Sequence, residues 1–196
     1  MKLIHITRPE YVENIKSKGL LLSEKIKIYK QQPYIRADQL VDAYTGPSRR
    51  GKEWMTREAA HYFIFEGDKA EAFKNNDVKC YFSVDSIALD RKRLFVSSVK
   101  VYEALWPLLC RGTDKDKRDM QLLCMHWWND LFPFDFYIKN RQMINRTYCQ
   151  VWRMPFVAEV LYYGDVPAFR RNFLHWALWA KRIRFLERMG EDNEIQ

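Results

Sequence analysis

The chain is 196 residues long, 47% hydrophobic and 15% aromatic, with seven glycines and seven prolines. That composition excludes wholesale disorder and low-complexity scaffolds, and the length suits one domain. A net charge of +8 makes polyanionic partners natural, and no apolar run is long enough to span a bilayer.

The start, Met1-Lys2-Leu3-Ile4-His5, lacks the apolar core of a signal peptide, so a cytoplasmic location is expected. Residues 2–7 read as a strand with a histidine inside it, His5. Pro9 can open a helix over residues 9–18, with Gly19 as its C-terminal glycine. Residues 24–52 read as polar and irregular, punctuated by Pro33, Gly46, Pro47 and Gly51. Trp54-Met55-Thr56 is a short strand candidate, and Thr56 is placed to cap a helix beginning Arg57-Glu58-Ala59-Ala60.

Residues 78–84 and 94–98 are strand candidates. From Val101 to about Leu131 the pattern is helical, with breaks near Pro107 and over the charged stretch Arg111 to Arg118. Trp106, Trp127 and Trp128 in this block read as core. Residues 147–153 and 156–163 read as two strands separated by Pro155, then a turn at Gly164-Asp165. Val166-Pro167 is expected to open a long helix to about Met189. That helix would bury Phe173, Trp176, Ala177, Ala180 and Ile183 and present Arg170, Arg171, Lys181, Arg182, Arg184 and Arg188. The sum is an α+β single domain over 1–196, with a helical extension from about 167.

Cys80, Cys110, Cys124 and Cys149 are widely spread, with no Cys-x-x-Cys pair. Neither a metal site nor a disulfide framework is expected, and the thiols read as reduced and mostly buried. The positive charge is uneven. Between Lys139 and Arg188 there are ten Lys/Arg against three acids, a candidate footprint for nucleic acid or simply a solvated basic face.

Two residues raise a chemical question. Glu159 sits in the apolar run Phe156-Val157-Ala158-Glu159-Val160-Leu161, where a buried carboxylate is costly unless it is paired or faces a cleft. It is either a strand-edge residue or a functional acid. His5 is either a satisfied structural histidine or a binding group.

Taken together, His5-Ile6-Thr7 with Ile15 and Gly19-Leu20, and Val157-Ala158-Glu159-Val160-Leu161 followed by Val166-Pro167, resemble the opening and closing motifs of the ADP-ribosyltransferase superfamily. The likeness is strongest to DarT-type toxins, which ADP-ribosylate nucleic-acid bases. Trp54-Met55-Thr56 leading into Arg57-Glu58-Ala59-Ala60-His61-Tyr62 is similar to the strand-then-helix unit that covers nicotinamide in that superfamily. The likeness covers about half the chain. It implies a short-stranded split sheet with flanking helices, NAD as co-substrate, and His5 and Glu159 lining one cleft on adjacent central strands.

The roles it implies are these. His5 and Thr7 hold the NAD ribose and nearby groups, and Trp54 with Tyr62 (Phe65 being an alternative to Tyr62) stacks on nicotinamide. Glu159 is the catalytic acid: cleavage of the nicotinamide–ribose bond develops an oxocarbenium-like centre that a carboxylate stabilises. An arginine on NAD pyrophosphate or on the attacking base is assigned to Arg49 or Arg50, with Arg36 less favoured and a plain basic loop as the alternative. Arg146, Trp152 and Arg153 become substrate contacts, although a core position for Trp152 competes.

No Glu-x-Glu or Gln-x-Glu precedes the acid, because Val157 stands two residues before it. That disfavours a protein-arginine acceptor and leaves single-stranded DNA or RNA in front. The role implied is an intracellular toxin of a toxin–antitoxin or antiphage system, with a neutralising antitoxin partner, no membrane and no metal. An ADP-ribosyltransferase acting on a protein side chain, and a non-catalytic basic nucleic-acid-binding module, are the alternatives.

Overall fold

The structure is a computed structural model that describes residues 1–29, 35–68, 80–168 and 183–187. It is a mixed α/β architecture in which helices flank an antiparallel sheet. The strands are β1 (Lys2–Thr7), β2 (Gly19–Leu20), β3 (His61–Phe65), β4 (Cys80–Asp85), β5 (Leu94–Ser98), β6 (Phe132–Pro133), β7 (Ala158–Tyr162), β8 (Val166–Pro167) and β9 (Ile183–Glu187). The helices are α1 (Val12–Lys18), α2 (Leu22–Tyr29), α3 (Ile35–Ala43), α4 (Val99–Arg111), α5 (Asp114–Asn129) and α6 (Phe134–Trp152).

The main sheet has seven strands in the order β6-β5-β7-β3-β1-β4-β9, and β2 pairs with β8 apart from it. Its centre parts. β3 gives His61, Tyr62 and Phe63 to β7, but only Ile64 and Phe65 to β1. Beyond Ile4 the β1 and β3 backbones separate, so the sheet is two wings joined by a short ladder. The site lies where they separate.

Alternation explains the strands. In β3, His61, Phe63 and Phe65 are buried while Tyr62 and Ile64 are partly exposed, the period of two expected for a strand with one face in the core. The core is aromatic: Trp127 and Trp128 are fully buried and edge-to-face, with Phe63, Phe82 and Phe134 close to fully buried as well.

Several expectations need correction. The stretch 24–52 is not irregular throughout: its described residues include most of α2 and all of α3, while 44–52 are loop and a short 3-10 turn. Ala37, Asp38 and Val41 form the buried side of α3, and the two aspartates within its span hid that face from a hydropathy reading. Helix α4 runs through Pro107 to Arg111 and stops at left-handed Gly112, because burial of Leu105 and Leu108 outweighs one missing hydrogen bond. The next helix then begins with a capping box between Thr113 and Asp116.

Residues 147–152 belong to α6, not to a strand. Tyr148, Val151 and Trp152 favour strands locally, yet Tyr148 continues the helical face of Phe134, Tyr137 and Ile144. Arg153 closes that helix with φ 57°. The strand expected at 156–163 is β7, and those at 78–84 and 94–98 correspond to β4 and β5.

Trp54-Met55-Thr56 is not a strand, and residues 57–60 form a turn rather than a helix. Thr56 does cap, since its Oγ1 accepts the Ala59 N–H at 3.1 Å. The long C-terminal helix is also revised. Val166-Pro167 is strand β8, paired with Gly19-Leu20, and residues 183–187 form β9 against β4. Phe173, Trp176, Ala177, Ala180, Arg170, Arg171, Lys181, Arg182 and Arg188 lie outside the described residues.

Cys124 is buried, but Cys110 and Cys149 are exposed, so the expectation of mostly buried thiols fails for these two helix-surface positions. Among the described residues no helix is long and apolar enough to cross a membrane, and no group of three or more His, Cys, Asp or Glu is arranged to hold a metal.

Candidate active site

The site is built around Arg57, which the sequence places only as the first residue of an expected helix. Its guanidinium side chain is 3% exposed, and it joins two acids. Nε donates to Asp38 at 2.6 Å, and both terminal nitrogens donate to Glu159 Oε2 at 3.1 Å. The ring faces of Tyr102, Tyr62 and Trp127 lie 3.8, 5.0 and 5.0 Å from its Cζ. Burial opposes the charge, but Tyr62, Glu159 and Asp38 more than offset it, so the guanidinium is held firmly protonated. Asp38 is 4% exposed and Glu159 16%, so the acid on β7 is the part of the triad that faces outward.

The backbone of Arg57 is fixed independently. Its N–H donates to both carboxylate oxygens of Asp42, at 2.8 and 3.1 Å. Asp38 and Asp42 are four apart on α3, one gripping the Arg57 side chain and the other its backbone. Burial pushes the Asp42 carboxyl up to about 6.

Across Tyr62 lies a cavity of about 420 Å³, a volume within the range of small-molecule sites. His5, Thr7, Arg8, Lys25, His61 and Tyr62 are among its lining residues. It opens where β1 and β3 part. There the His5 ring takes over from the backbone ladder, with Nδ1 2.8 Å from the Tyr62 carbonyl oxygen. A carbonyl only accepts, so Nδ1 carries the proton and Nε2 is left as an acceptor. Burial holds the His5 pKa down to about 4, so this tautomer is neutral at physiological pH.

His61 is 2% exposed, also lines the cavity, and has its Nε2 buried without a hydrogen-bond partner. Burial, with His5 beside it, lowers its pKa to about 3. Lys25 reaches over the Tyr62 ring at 4.2 Å and donates to the Ala60 and Arg57 carbonyls. Burial brings its pKa down to about 7. Tyr62 donates its hydroxyl to the Arg57 carbonyl, which ties the cavity wall to the Arg57 turn.

His5 and Glu159 do not stand on adjacent strands. β3 lies between β1 and β7, and Glu159 is not one of the cavity's lining residues. The registers explain why. Tyr62 opposes Leu161, so Tyr62 and Glu159 share one face of the sheet. His5 opposes Phe82 and packs on the Phe63 ring, on the other face. Tyr62, part of the cavity wall and in contact with Arg57, connects the two centres.

The other expected residues divide. Thr7 and Tyr62 line the cavity. Trp54 does not; it is 55% exposed and meets Tyr163 and Phe95 edge-on at 5.4 and 6.2 Å. Arg49 is buried over the Trp128 ring and donates to the Tyr44 and Met55 carbonyls, so it shapes a loop and does not reach Glu159. Arg50 and Arg36 are exposed. Phe65 packs on Phe134 and Tyr137 in the core. Trp152 packs edge-on to His126 at 4.4 Å, while Arg146 and Arg153 are exposed.

Two hydroxyls close to the acid are buried without partners: Ser97, which opposes Glu159 in the β5–β7 ladder, and Tyr163. The sequence signal for Arg57 was available only in part. It lies five residues before Tyr62, but its partners on α3 were concealed in a stretch read as loop.

The chain matches no family model, and no curated protein or solved structure is significantly similar to it.

Proposed function

We propose that this protein is an NAD-dependent mono-ADP-ribosyltransferase with an ADP-ribosyltransferase-like fold, acting on bases of single-stranded DNA or RNA. The observation that carries the reading is the acid Glu159, oriented by a buried arginine and joined through Tyr62 to a cavity at the parting of β1 and β3. The donor set suits a dinucleotide rich in hydroxyl groups. His5 Nε2 and the unpartnered His61 Nε2 are neutral acceptors for ribose hydroxyls, and Tyr62 offers an aromatic wall.

NAD supplies a ribose carbon bearing a good leaving group, nicotinamide. Thr7 and the two histidines would hold its hydroxyls, and Tyr62 would offer its ring to the nicotinamide end. Because His5 and Glu159 lie on opposite faces of the sheet, the ribose would have to pass Tyr62 to reach the carboxylate. The carboxylate stabilises the positive charge that develops on the ribose as the carbon–nitrogen bond breaks. Nicotinamide leaves with the bonding electrons; a nitrogen of the acceptor base forms the new bond to the same carbon, and its proton passes to Glu159. Arg57 is a positioning residue that keeps one oxygen of Glu159 fixed and the other free.

The basic residues of α6 and the exposed arginines suit a polyanionic acceptor. A cell making this enzyme needs a partner that reverses the mark or covers the site, which fits a toxin of a toxin–antitoxin or antiphage system.

The test is transfer of label from 32P-NAD to defined single-stranded oligonucleotides, with mass spectrometry of the product. Wild type is expected to label an oligonucleotide and Glu159→Gln to reduce labelling by at least about 100-fold. No transfer to DNA, RNA or protein would overturn the assignment; transfer to protein alone would move the acceptor to a side chain.

A further inference from the structure

Among the described residues, Trp54 is a large aromatic left 55% exposed, on the loop that precedes β3. Phe95 opposes Leu161 in the β5–β7 ladder, and Leu161 shares a face with Glu159 two positions away, about 7 Å along the strand. Trp54 stands over Phe95 and Tyr163, so it lies on the acid's face of the sheet and apart from the cavity lined by His5. Its exposure is built in. The next residue, Met55, is buried, donates its N–H to Lys52 at 3.0 Å and offers its carbonyl to Arg49 at 3.3 Å. Lys52 in turn donates to the Trp128 carbonyl, and Glu53 accepts the Gly51 N–H at 2.8 Å. The loop is pinned on both sides of the indole, so a ligand would meet an aromatic surface that is already ordered.

The surroundings favour an anion-bearing ring over a plain apolar one. Arg50 and Arg93 are exposed in the flanking segments, and Arg93 donates to the Tyr163 carbonyl at 3.4 Å. The nearby acids are engaged: Glu53 in its bond to Gly51, and Asp90 with the Lys92 N–H and 3.8 Å from Arg93 Nε. An exposed indole, with Arg50 exposed in the same loop and Arg93 bonded to the backbone of the Tyr163 it packs on, suits a base and its neighbouring phosphates. Nothing in this arrangement reads base edges in a duplex, where the ring faces are already stacked.

We propose that Trp54, braced by Phe95 and Tyr163, is the stacking platform that presents a base of a single-stranded polynucleotide to Glu159, with Arg50 and Arg93 on the adjoining phosphates. The inference rests on the transferase reading for its purpose, but the platform is a binding site in its own right. It separates the two substrates: the NAD donor enters from the β1–β3 parting and the acceptor from the Trp54 side, meeting at the carboxylate.

Fluorescence anisotropy with a dye-labelled single-stranded oligonucleotide tests it. Trp54→Ala is expected to weaken binding by about 5- to 100-fold and Trp54→Phe by much less, because a smaller ring still stacks. Arg50→Gln and Arg93→Gln are each expected to reduce the slope of log affinity against log salt by about 0.7. A melting temperature within about 2 °C of wild type shows that each variant is folded.

Equal affinity of folded Trp54→Ala and wild type would overturn the platform, even if 32P-NAD labelling persists and the transferase reading stands. Trp54-dependent binding with no labelling by wild type would support the platform and sink only the enzymatic reading. Equal affinity for a duplex of the same sequence would also overturn it.

Discussion

Replacing Arg57 by methionine is the sharpest probe of the site. Met keeps much of the volume but removes three hydrogen bonds, at 2.6, 3.1 and 3.1 Å, and the cation that bridges Asp38 and Glu159 directly. Exposed ion pairs are worth little, but here the guanidinium is 3% exposed and Asp38 4%. Breaking a buried network from its centre strands two carboxylates, and the expected cost is about 3–5 kcal/mol. For a chain of this size that lowers the melting temperature by roughly 6–20 °C.

Urea unfolding followed by tryptophan emission reads the change, because Trp127 and Trp128 are fully buried in the native state. Asp38→Asn and Glu159→Gln added to Arg57→Met should recover much of the loss, since they neutralise the stranded charges. Glu159→Gln alone should cost less, about 1–2 kcal/mol, because Arg57 keeps Asp38 and Glu159 is the more exposed acid. That makes it a usable activity probe. A loss under about 1 kcal/mol for Arg57→Met, or a triple variant no more stable than the single one, would refute the network as the site's support.

Other outcomes follow from the same geometry. His5 and His61 have folded pKa values lowered to about 4 and about 3, so the unfolded chain binds more protons below pH 6.5. Their contribution is complete above that pH and is lost as pH falls toward 4. The Asp42 carboxyl, raised to about 6, works the other way between there and 3.8. Burial raises the Asp130 carboxyl to about 6 as well, so the two carboxyls largely offset the two histidines and the wild-type midpoint should change little between about pH 6 and 4.5. The ratio of wild-type to His61→Gln unfolding equilibria should still change roughly tenfold per pH unit over this range, and a ratio that stays constant would contradict a buried neutral His61.

Gly19→Ala should lower stability by more than about 1–2 kcal/mol, because its φ is +86° and a Cβ there would sit 2.2 Å from the Val166 carbonyl oxygen. Gly51→Ala, at φ +77° in open space, is the comparison, and thermal melts should rank it as the milder change. Native protein should react rapidly with a thiol reagent at Cys110 and Cys149 and slowly at Cys124; a fast phase that is lost on Cys124→Ser would disagree.

Much of the architecture was legible because it depends on local pattern. β5 was read at 94–98, and the β7 region was visible as an apolar run carrying one acid. β1 was a strand with a histidine. The composition of α4 and α5 also announced helices, and the pair Trp127-Trp128 announced a core. Period and propensity act over a few residues, and in these segments they agreed with the tertiary environment.

Elsewhere tertiary contacts overrode them. Tyr148 and Trp152 favour strands, but packing along the Phe134–Tyr137–Ile144 face made them helical. Val166-Pro167 looked like a helix start, yet the backbone of Gly19-Leu20 was available to pair with it. Residues 35–43 were polar enough to pass for a loop, because their buried aspartates have a partner 15–19 residues away in sequence. Sequence thus determined that an acid at 159 and a histidine at 5 sit in apolar strands and need an explanation. Only the tertiary structure decided that Glu159 is held by Arg57 rather than approached by Arg49 or Arg50. Only it placed His5 across β3 and turned Trp54 outward. Those outcomes depend on ladder register and on charges brought together over about a hundred residues, and neither leaves a periodic trace in the chain.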